Sequence, residues 1–165
     1  MLKKLLVVGA LVLLPVAAYA ASPVVTSFGP RVGVSIDPDQ IVLGGQLSVA
    51  EFAPDWSFDP SIELGLGDDV TVVAFNLDAF YHLRMKGSEW RPYVGGGLGV
   101  AFSSWDAPPG VRDHSDTDVG LNLVGGFSLP AGSGDHWFAE MRFGIGGGEG
   151  DLPTFKIIGG YNFGQ

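Results

Sequence analysis

The sequence predicts an antiparallel β-barrel that spans a membrane. Residues 91–102 carry the pattern most clearly, since apolar and very small residues alternate: Val94, Leu98, Val100 and Phe102 share one face, and Gly95, Gly97, Gly99 and Ala101 share the other. Alternate residues of a strand point to opposite faces, so one face of this strand is nearly empty, as the inside of a narrow closed barrel requires. The chain is also 46% hydrophobic and only 16% charged, although no segment after the N-terminal region is long and apolar enough for a transmembrane helix.

The first 20 residues have the organisation of a secretory signal peptide. A basic start with Lys3 and Lys4 precedes an apolar run, and Ala18-Tyr-Ala20 has the small-x-small pattern of a cleavage site. The apolar run is shorter than a membrane-spanning helix and contains Pro15. The predicted organisation is therefore a cleaved signal peptide at 1–20, a lead-in segment at 21–28 and one β-barrel domain at 29–165.

Composition excludes several classes of function. The formal net charge is −9, whereas binding to nucleic acid depends on Lys and Arg side chains that neutralise phosphates. The chain contains no cysteine, so disulfides do not stabilise the exported domain. We therefore expect no nucleic-acid partner, and we expect strand closure to provide the stability of the fold.

Eight segments with strand character follow one another, separated by clusters of Gly, Pro, Asp and Ser that are typical of turns. Most of them are long enough for a tilted strand that crosses a bilayer. Their order predicts an eight-stranded antiparallel up-and-down transmembrane β-barrel. The predicted strands are 30–37, 40–52, 57–66, 70–84, 90–103, 117–129, 136–147 and 153–164.

Charged residues occur on the face opposite the apolar one. A barrel of eight strands is just wide enough for side chains to fill its interior, and an unpaired charge there is costly. We therefore predict that these side chains form a paired, hydrogen-bonded network that plugs the lumen, the space inside the barrel. The predicted network consists of Arg31, Glu63, Asp78, Glu140, Arg142 and Lys156.

The two rims of the predicted barrel differ in composition. Aromatic residues of the apolar face cluster near one rim, as in the interfacial girdles of membrane barrels; the alternative is a chance distribution near strand ends. The predicted girdle contains Trp56, Tyr81, Trp90, Trp137 and Tyr161.

Acidic residues cluster at the other rim, where they form either a solvated negative surface or ligands for divalent cations: Asp37, Asp39, Asp68, Asp69, Asp106, Asp113, Asp116, Asp118, Glu149 and Asp151. The same alternation would also occur in a soluble barrel with its apolar face inward.

Four motifs, in order, resemble strands of the small outer-membrane β-barrels of the OmpA/OmpW-like porin family: Trp90-Arg-Pro-Tyr-Val-Gly-Gly-Gly-Leu-Gly-Val100, Asp118-Val-Gly-Leu-Asn-Leu-Val-Gly-Gly-Phe127, Trp137-Phe-Ala-Glu-Met-Arg-Phe143 and Ile158-Gly-Gly-Tyr-Asn-Phe163. The resemblance implies a location in the outer membrane of a diderm, Gram-negative-type bacterium. It also implies outer-membrane lipids, including lipopolysaccharide, and the barrel assembly machinery as partners, and a monomeric barrel.

Some barrels of this kind are enzymes, such as lipid A deacylases, and each of the three histidines is a candidate catalytic base. His114 and Ser115 are adjacent, which points their side chains apart in an extended segment. His82 and Asp78 lie four residues apart on one strand, roughly 13 Å at the usual rise, and His136 lies at a turn. The histidines lack the spacing of metal ligands. We expect no catalytic residue, no metal and no cofactor, and hence no enzymatic activity.

The sequence thus predicts an integral outer-membrane β-barrel with a structural or envelope role and a lumen plugged by side chains. One alternative is a narrow channel for small solutes or ions, and another is a route for small hydrophobic molecules. A barrel enzyme that acts on lipid is a further alternative.

Overall fold

The computed structural model describes residues 25–68, 70–105, 114–146 and 155–164, and it contains eight β-strands. The strands are β1 (Val25–Ile36), β2 (Gln40–Ala53), β3 (Trp56–Leu66), β4 (Val70–His82), β5 (Arg91–Trp105), β6 (His114–Pro130), β7 (His136–Ile145) and β8 (Phe155–Gly164). No helix in these residues is long and apolar enough to cross a membrane. The expected signal peptide lies outside the described residues.

The eight strands form one closed barrel in which each strand pairs antiparallel with the next along the chain. β1 also pairs with β8, so that Val34 lies opposite both Ile41 of β2 and Ile157 of β8. Closure gives every strand two neighbours and leaves no open edge, which a barrel in a lipid environment requires. The predicted eight-stranded up-and-down topology is confirmed.

Alternation places the apolar side chains outside and the polar ones inside. Every strand exposes large apolar or aromatic side chains on its outer face, for example Val32, Leu43, Ile62, Tyr81, Leu98, Leu121, Met141 and Ile157. Polar and charged side chains, by contrast, are buried in the lumen, as Arg31, Asn76 and Arg142 illustrate. An apolar band around the whole barrel matches a lipid environment. The alternative of a soluble barrel with its apolar face inward is therefore wrong.

β1 is longer than its sequence indicates. It begins at Val25 rather than near residue 30, so residues 25–28 of the predicted lead-in belong to the barrel. Proline has no N–H group to donate to a strand ladder. In the structure Pro30 lies within β1 opposite Gly45, and β1 pairs with β8 at Phe28 and again from Arg31.

The glycine face of β5 points into the lumen, where it makes room for larger neighbours. A Cβ atom at Gly97 would lie 1.9 Å from the carbonyl oxygen of Leu77 and 2.7 Å from a carboxylate oxygen of Asp78. A Cβ atom at Gly95 would lie 2.7 Å from the ring of Phe80. The absence of side chains on β5 therefore lets charged and aromatic residues of β4 occupy the lumen.

The two ends of the barrel differ in composition: one carries the predicted aromatic girdle (the girdle end), and the other carries the predicted acidic rim (the acidic end). At the girdle end lie the first residue of β1, the last residue of β8 and the connections at residues 54–55, 83–90 and 131–135. At the acidic end lie the β1–β2 and β3–β4 connections, the last residues of β5 and β7 and the first residues of β6 and β8. Of the predicted acidic rim, Asp69, Asp106, Asp113, Glu149 and Asp151 lie outside the described residues. Asp118 differs from the prediction because it lies within β6 and is buried.

Candidate functional site

The six predicted charged side chains meet in the middle of the lumen, and all six are buried. Arg31 of β1 lies between two carboxylates: its Nη2 atom is 3.2 Å from Oε1 of Glu63, and it also donates a hydrogen bond to Glu140. Alternation directs Arg31 inward, and closure of the barrel brings β1, β3 and β7 to face one another across the narrow lumen. One guanidinium group thus links three strands.

Arg142 of β7 forms the second centre of this charge network. Its Nη1 atom lies 2.8 Å from Oδ2 of Asp78, and its Nε atom lies 2.7 Å from Oε1 of Glu140. Lys156 of β8 pairs with Glu63. Three cationic side chains therefore pair with three carboxylates, an arrangement that offsets the cost of removing each charge from water.

Neutral side chains extend the charge network towards the girdle end. Arg31 donates from Nη1 to Oε1 of Gln46 at 3.0 Å, and Gln46 donates from Nε2 to Oδ1 of Asn162 at 3.1 Å. Asn162 in turn lies 3.0 Å from Nε2 of His136. Tyr93 donates its hydroxyl to Oε2 of Glu140 at 3.1 Å. Tyr93 is not in the predicted network, although it lies on the same inward face of β5 as Gly95, Gly97 and Gly99.

Apolar side chains fill part of the lumen towards the acidic end. Val70, Val72 and Ala74 of β4 pack together with Ala101 of β5 and are almost fully buried. Next to them, Asn122 of β6 donates a hydrogen bond to Oδ1 of Asn76 at 2.9 Å. The interior therefore contains a packed apolar cluster on one side of the charge network.

The girdle end is open. A cavity of about 690 Å³ lies there, lined by residues of the strand ends and connections that include Ser57, His82, Trp90, Arg91 and His136. A smaller cavity of about 100 Å³ shares Ser57, His82, Ser128 and His136 with it and reaches Glu140 of the charge network. The larger cavity thus leads inward to a small polar and aromatic chamber whose floor is the charge network.

Asp59 of β3 lies in the wall of the smaller cavity. It is only 7% exposed and accepts hydrogen bonds from the hydroxyl groups of Ser48 and Ser57. It lies directly opposite Asp78 in the β3–β4 ladder, where like charges disfavour each other. Asp59 is not in the predicted network. It lies four residues before Glu63 on the same strand, so the alternation of strand faces already places both side chains in the lumen.

Ser57 and His82 form a contact that the sequence did not predict. The Oγ atom of Ser57 lies 2.9 Å from Nε2 of His82, a distance that suits a nucleophile and its base. When Ser57 donates its hydroxyl proton to Asp59, it can bond only to the His82 tautomer that carries a proton on Nε2. A histidine that donates at Nε2 does not activate the serine. The side chain of His114 lies outside the described part of the structure.

The predicted girdle residues lie on the outer face at one end, and most of them stack in pairs. The ring centroids of Trp56 and Tyr81 are 5.4 Å apart, and those of Trp137 and Tyr161 are 4.7 Å apart. Trp90 packs on Phe127 with centroids 4.6 Å apart. These are separations at which tilted and edge-to-face aromatic pairs attract each other. Among the described side chains, no group of three or more His, Asp and Glu residues is placed to hold a metal ion.

Comparisons with known proteins give matches at the level of structure. No protein-family model matches the chain, and no curated protein matches it. The N-terminal β-barrel domain of Pseudomonas aeruginosa OprF is similar, with a TM-score of 0.63, 19% sequence identity and coverage of 84% of this chain and 98% of that one. Neisserial surface protein A has a TM-score of 0.58, 16% identity and coverage of 83% and 91%. The outer membrane enzyme PagL has a TM-score of 0.52, 14% identity and coverage of 84% and 99%.

These likenesses cover nearly the whole of each solved barrel at low sequence identity, so they show a shared fold. The predicted resemblance to OmpA-like small outer-membrane barrels is confirmed at that level. The chain has the fold of the small eight-stranded outer-membrane β-barrels of Gram-negative bacteria.

Proposed function

We propose that the protein is an integral outer-membrane barrel with a structural or envelope role, and that its lumen is closed to solutes. The observation that carries this proposal is the charge network. Arg31 and Arg142 each contact carboxylates from two strands and are almost fully buried. Such a network stabilises the barrel and occupies the interior of the pore at the same time.

The same network argues against a general channel. Solute passage would require the ion pairs of Arg31 and Arg142 to separate inside a lumen where unpaired charges are costly. The apolar cluster around Val72 and Ala101 adds a second packed region next to it. A narrow channel therefore requires a rearrangement of the interior, and it remains the alternative function that the experiment below distinguishes.

The remaining parts of the proposal concern chemistry and partners. We infer that the protein is not an enzyme, because the hydroxyl proton of Ser57 is donated to Asp59 rather than to His82. The apolar outer face and the aromatic girdle support outer-membrane lipids, including lipopolysaccharide, as its surroundings. We further propose insertion by the barrel assembly machinery as a monomer, as the resemblance to OmpA-like barrels implies.

Conductance of single barrels tests the closed lumen. Protein extracted from outer membranes should migrate faster on a detergent gel before heating than after it, which identifies the folded barrel. In planar bilayers this folded protein should give no discrete conductance steps. Steps from the wild-type barrel would support the channel instead.

A variant of the network makes this test specific. Glu140→Ala removes the acceptor that Arg31, Arg142 and Tyr93 share, so it should raise the conductance of the folded barrel. Glu89→Ala is the matched control because Glu89 is exposed in the β4–β5 connection at the girdle end. If Glu140→Ala leaves both conductance and stability unchanged, the charge network does not plug the lumen.

A further inference from the structure

Asp59 is a buried carboxylate that has no cationic partner in the charge network. Three cationic side chains pair with three carboxylates in the charge network: Arg31, Arg142 and Lys156 with Glu63, Asp78 and Glu140. Asp59 is a further buried carboxylate whose side chain points into the lumen. Within the described part of the chain, its hydrogen-bond partners are the hydroxyl groups of Ser48 and Ser57, and no cationic side chain forms an ion pair with it.

The hydrogen bonds of Asp59 fit the ionised form. Ser48 donates to Oδ1 and Ser57 donates to Oδ2, so both carboxylate oxygens act as acceptors, as they do in an ionised carboxylate. Each oxygen keeps a further lone pair for another donor. Burial of an ionised carboxylate beside Asp78 without a cation is costly. A bound cation at this position would offset that cost.

The cavity beside Asp59 has the walls of an organic-cation site. Phe80, Tyr93 and Phe138 contribute aromatic rings to the chamber of about 100 Å³, and Asp59 and Glu140 contribute carboxylates. The rings of Phe80 and Tyr93 pack with centroids 5.0 Å apart. Aromatic faces attract ammonium groups through their negative potential. A divalent cation such as Ca²⁺ needs about six to eight oxygen ligands, and an aromatic wall does not provide them.

The chamber also has a route of access. It is adjacent to the cavity of about 690 Å³ at the girdle end, because Ser57, His82, Ser128 and His136 line both. The lining of the larger cavity includes the apolar side chains of Leu83, Met85 and Trp90. A ligand with an ammonium head and a short apolar tail would therefore place its charge beside Asp59 and its tail in the wider space.

We propose that the chamber beside Asp59 is a binding site for a primary alkylammonium group. Asp59 provides the counter-ion and accepts N–H hydrogen bonds, the rings of Phe80, Tyr93 and Phe138 form the walls, and the alkyl chain extends towards the girdle end. This site adjoins the charge network at Glu140, but its counter-ion, Asp59, is not paired with the network's cations, and the site adds ligand binding to the envelope role.

Calorimetric titration of the folded barrel tests the site. The probe is n-butylammonium chloride, with 1-butanol as a neutral probe of similar shape and potassium chloride as an inorganic cation. The barrel should bind n-butylammonium with saturation, and neither 1-butanol nor potassium should bind or compete. Absence of saturable n-butylammonium binding, or equal competition by potassium, would overturn the proposal.

Variants assign the binding to Asp59. Asp59→Asn keeps the shape of the side chain and should weaken n-butylammonium binding by at least about tenfold, the effect of one charge-assisted contact. Asp39→Asn is the matched control, because Asp39 is an exposed acid in the connection at the acidic end, and it should bind as the wild type does. Equal binding by Asp59→Asn and wild type would contradict the site.

A second variant keeps the test decisive if Asp59→Asn does not fold. Phe80→Leu retains apolar volume but removes an aromatic face from the chamber. It should keep the faster migration of the unheated barrel and should weaken n-butylammonium binding while leaving the response to 1-butanol unchanged. Unchanged n-butylammonium binding in the folded Phe80→Leu barrel would show that the rings do not form the site.

Discussion

Arg142 is the side chain on which the stability of the lumen depends most. Its guanidinium group pairs with Asp78 and Glu140 and is almost fully buried. Arg142→Met replaces it with an apolar chain and leaves Asp78 without the cation that pairs with it. Since loss of one partner of a buried pair leaves an uncompensated charge, we expect the free energy of unfolding to fall by about 3–5 kcal/mol. Denaturant unfolding in detergent micelles, followed by tryptophan fluorescence, measures this change.

An exposed ion pair of the same chemistry provides the control for Arg142. Arg84 pairs with Asp55 at the girdle end, and its side chain is 76% exposed. Solvent screens such a pair, so Arg84→Met should change the free energy of unfolding by less than about 1 kcal/mol. Equal effects of the two substitutions would mean that the network around Arg142 does not differ energetically from a surface pair.

At the scale of the strands, alternation made most of the fold predictable. The sequence placed seven of the eight strand starts within three residues of their positions, because apolar and polar residues alternate regularly in each segment. The exception is β1, which begins at Val25 rather than near residue 30. The alternation also predicted that Arg31, Glu63 and Arg142 point into the lumen, because alternate residues of a strand point to opposite faces.

Contacts between strands were less predictable because they depend on register. Ser57 meets His82 only because β3 and β4 pair with Trp56 opposite Tyr81. The same register places Asp59 opposite Asp78. A shift of the register by one residue would reverse which side chains face the lumen. Alternation predicts which face of a strand each side chain occupies, but it does not predict which residue of the neighbouring strand lies opposite. For this reason the chamber beside Asp59 was not predicted.

The closing strand is held at its end by Asp135 in the β6–β7 connection. Tyr161 donates its hydroxyl to Oδ2 of Asp135 at 2.7 Å, and the N–H group of Gly164 donates to Oδ1 at 2.9 Å. The hydrogen bond from Tyr161 and then that from Gly164 lower the pKa of the Asp135 carboxyl below its ordinary value of 3.8. These bonds favour the ionised form, so they hold β8 to the connection more strongly when the carboxyl is ionised.

The stability that Asp135 contributes should therefore depend on pH. A lowered pKa in the folded state means that the contribution is complete above 3.8 and is lost as the pH falls through the lowered value. Wild type should be more stable than Asp135→Asn at neutral pH, and the difference should shrink as the pH falls below 3.8. Denaturant unfolding of both proteins across this range measures it. Tyr161→Phe removes the larger cause and should reduce the same difference; a difference independent of pH would contradict the contact.

At the scale of the whole molecule, the barrel separates two environments. The outer face carries apolar side chains on all eight strands, whereas the lumen buries charged and amide side chains. Each strand contributes to both because its residues alternate. The same eight strands therefore build a lipid-facing surface and a polar interior at once, and the charge network can exist only because the apolar residues lie outside.

This separation predicts that a charge on the outer face is tolerated only near the rims. Leu98 lies at the middle of β5 and is 54% exposed, so Leu98→Arg would place a guanidinium group near the centre of the bilayer. In lipid vesicles its cost should be about 2–4 kcal/mol. Leu83→Arg lies beyond the end of β4 at the girdle end and should cost at most about 1 kcal/mol, because charges near the interface are tolerated. Reversible unfolding of both variants from vesicles measures these costs. Equal and small costs would mean that the apolar face meets something other than lipid, and the aromatic girdle would then need another explanation.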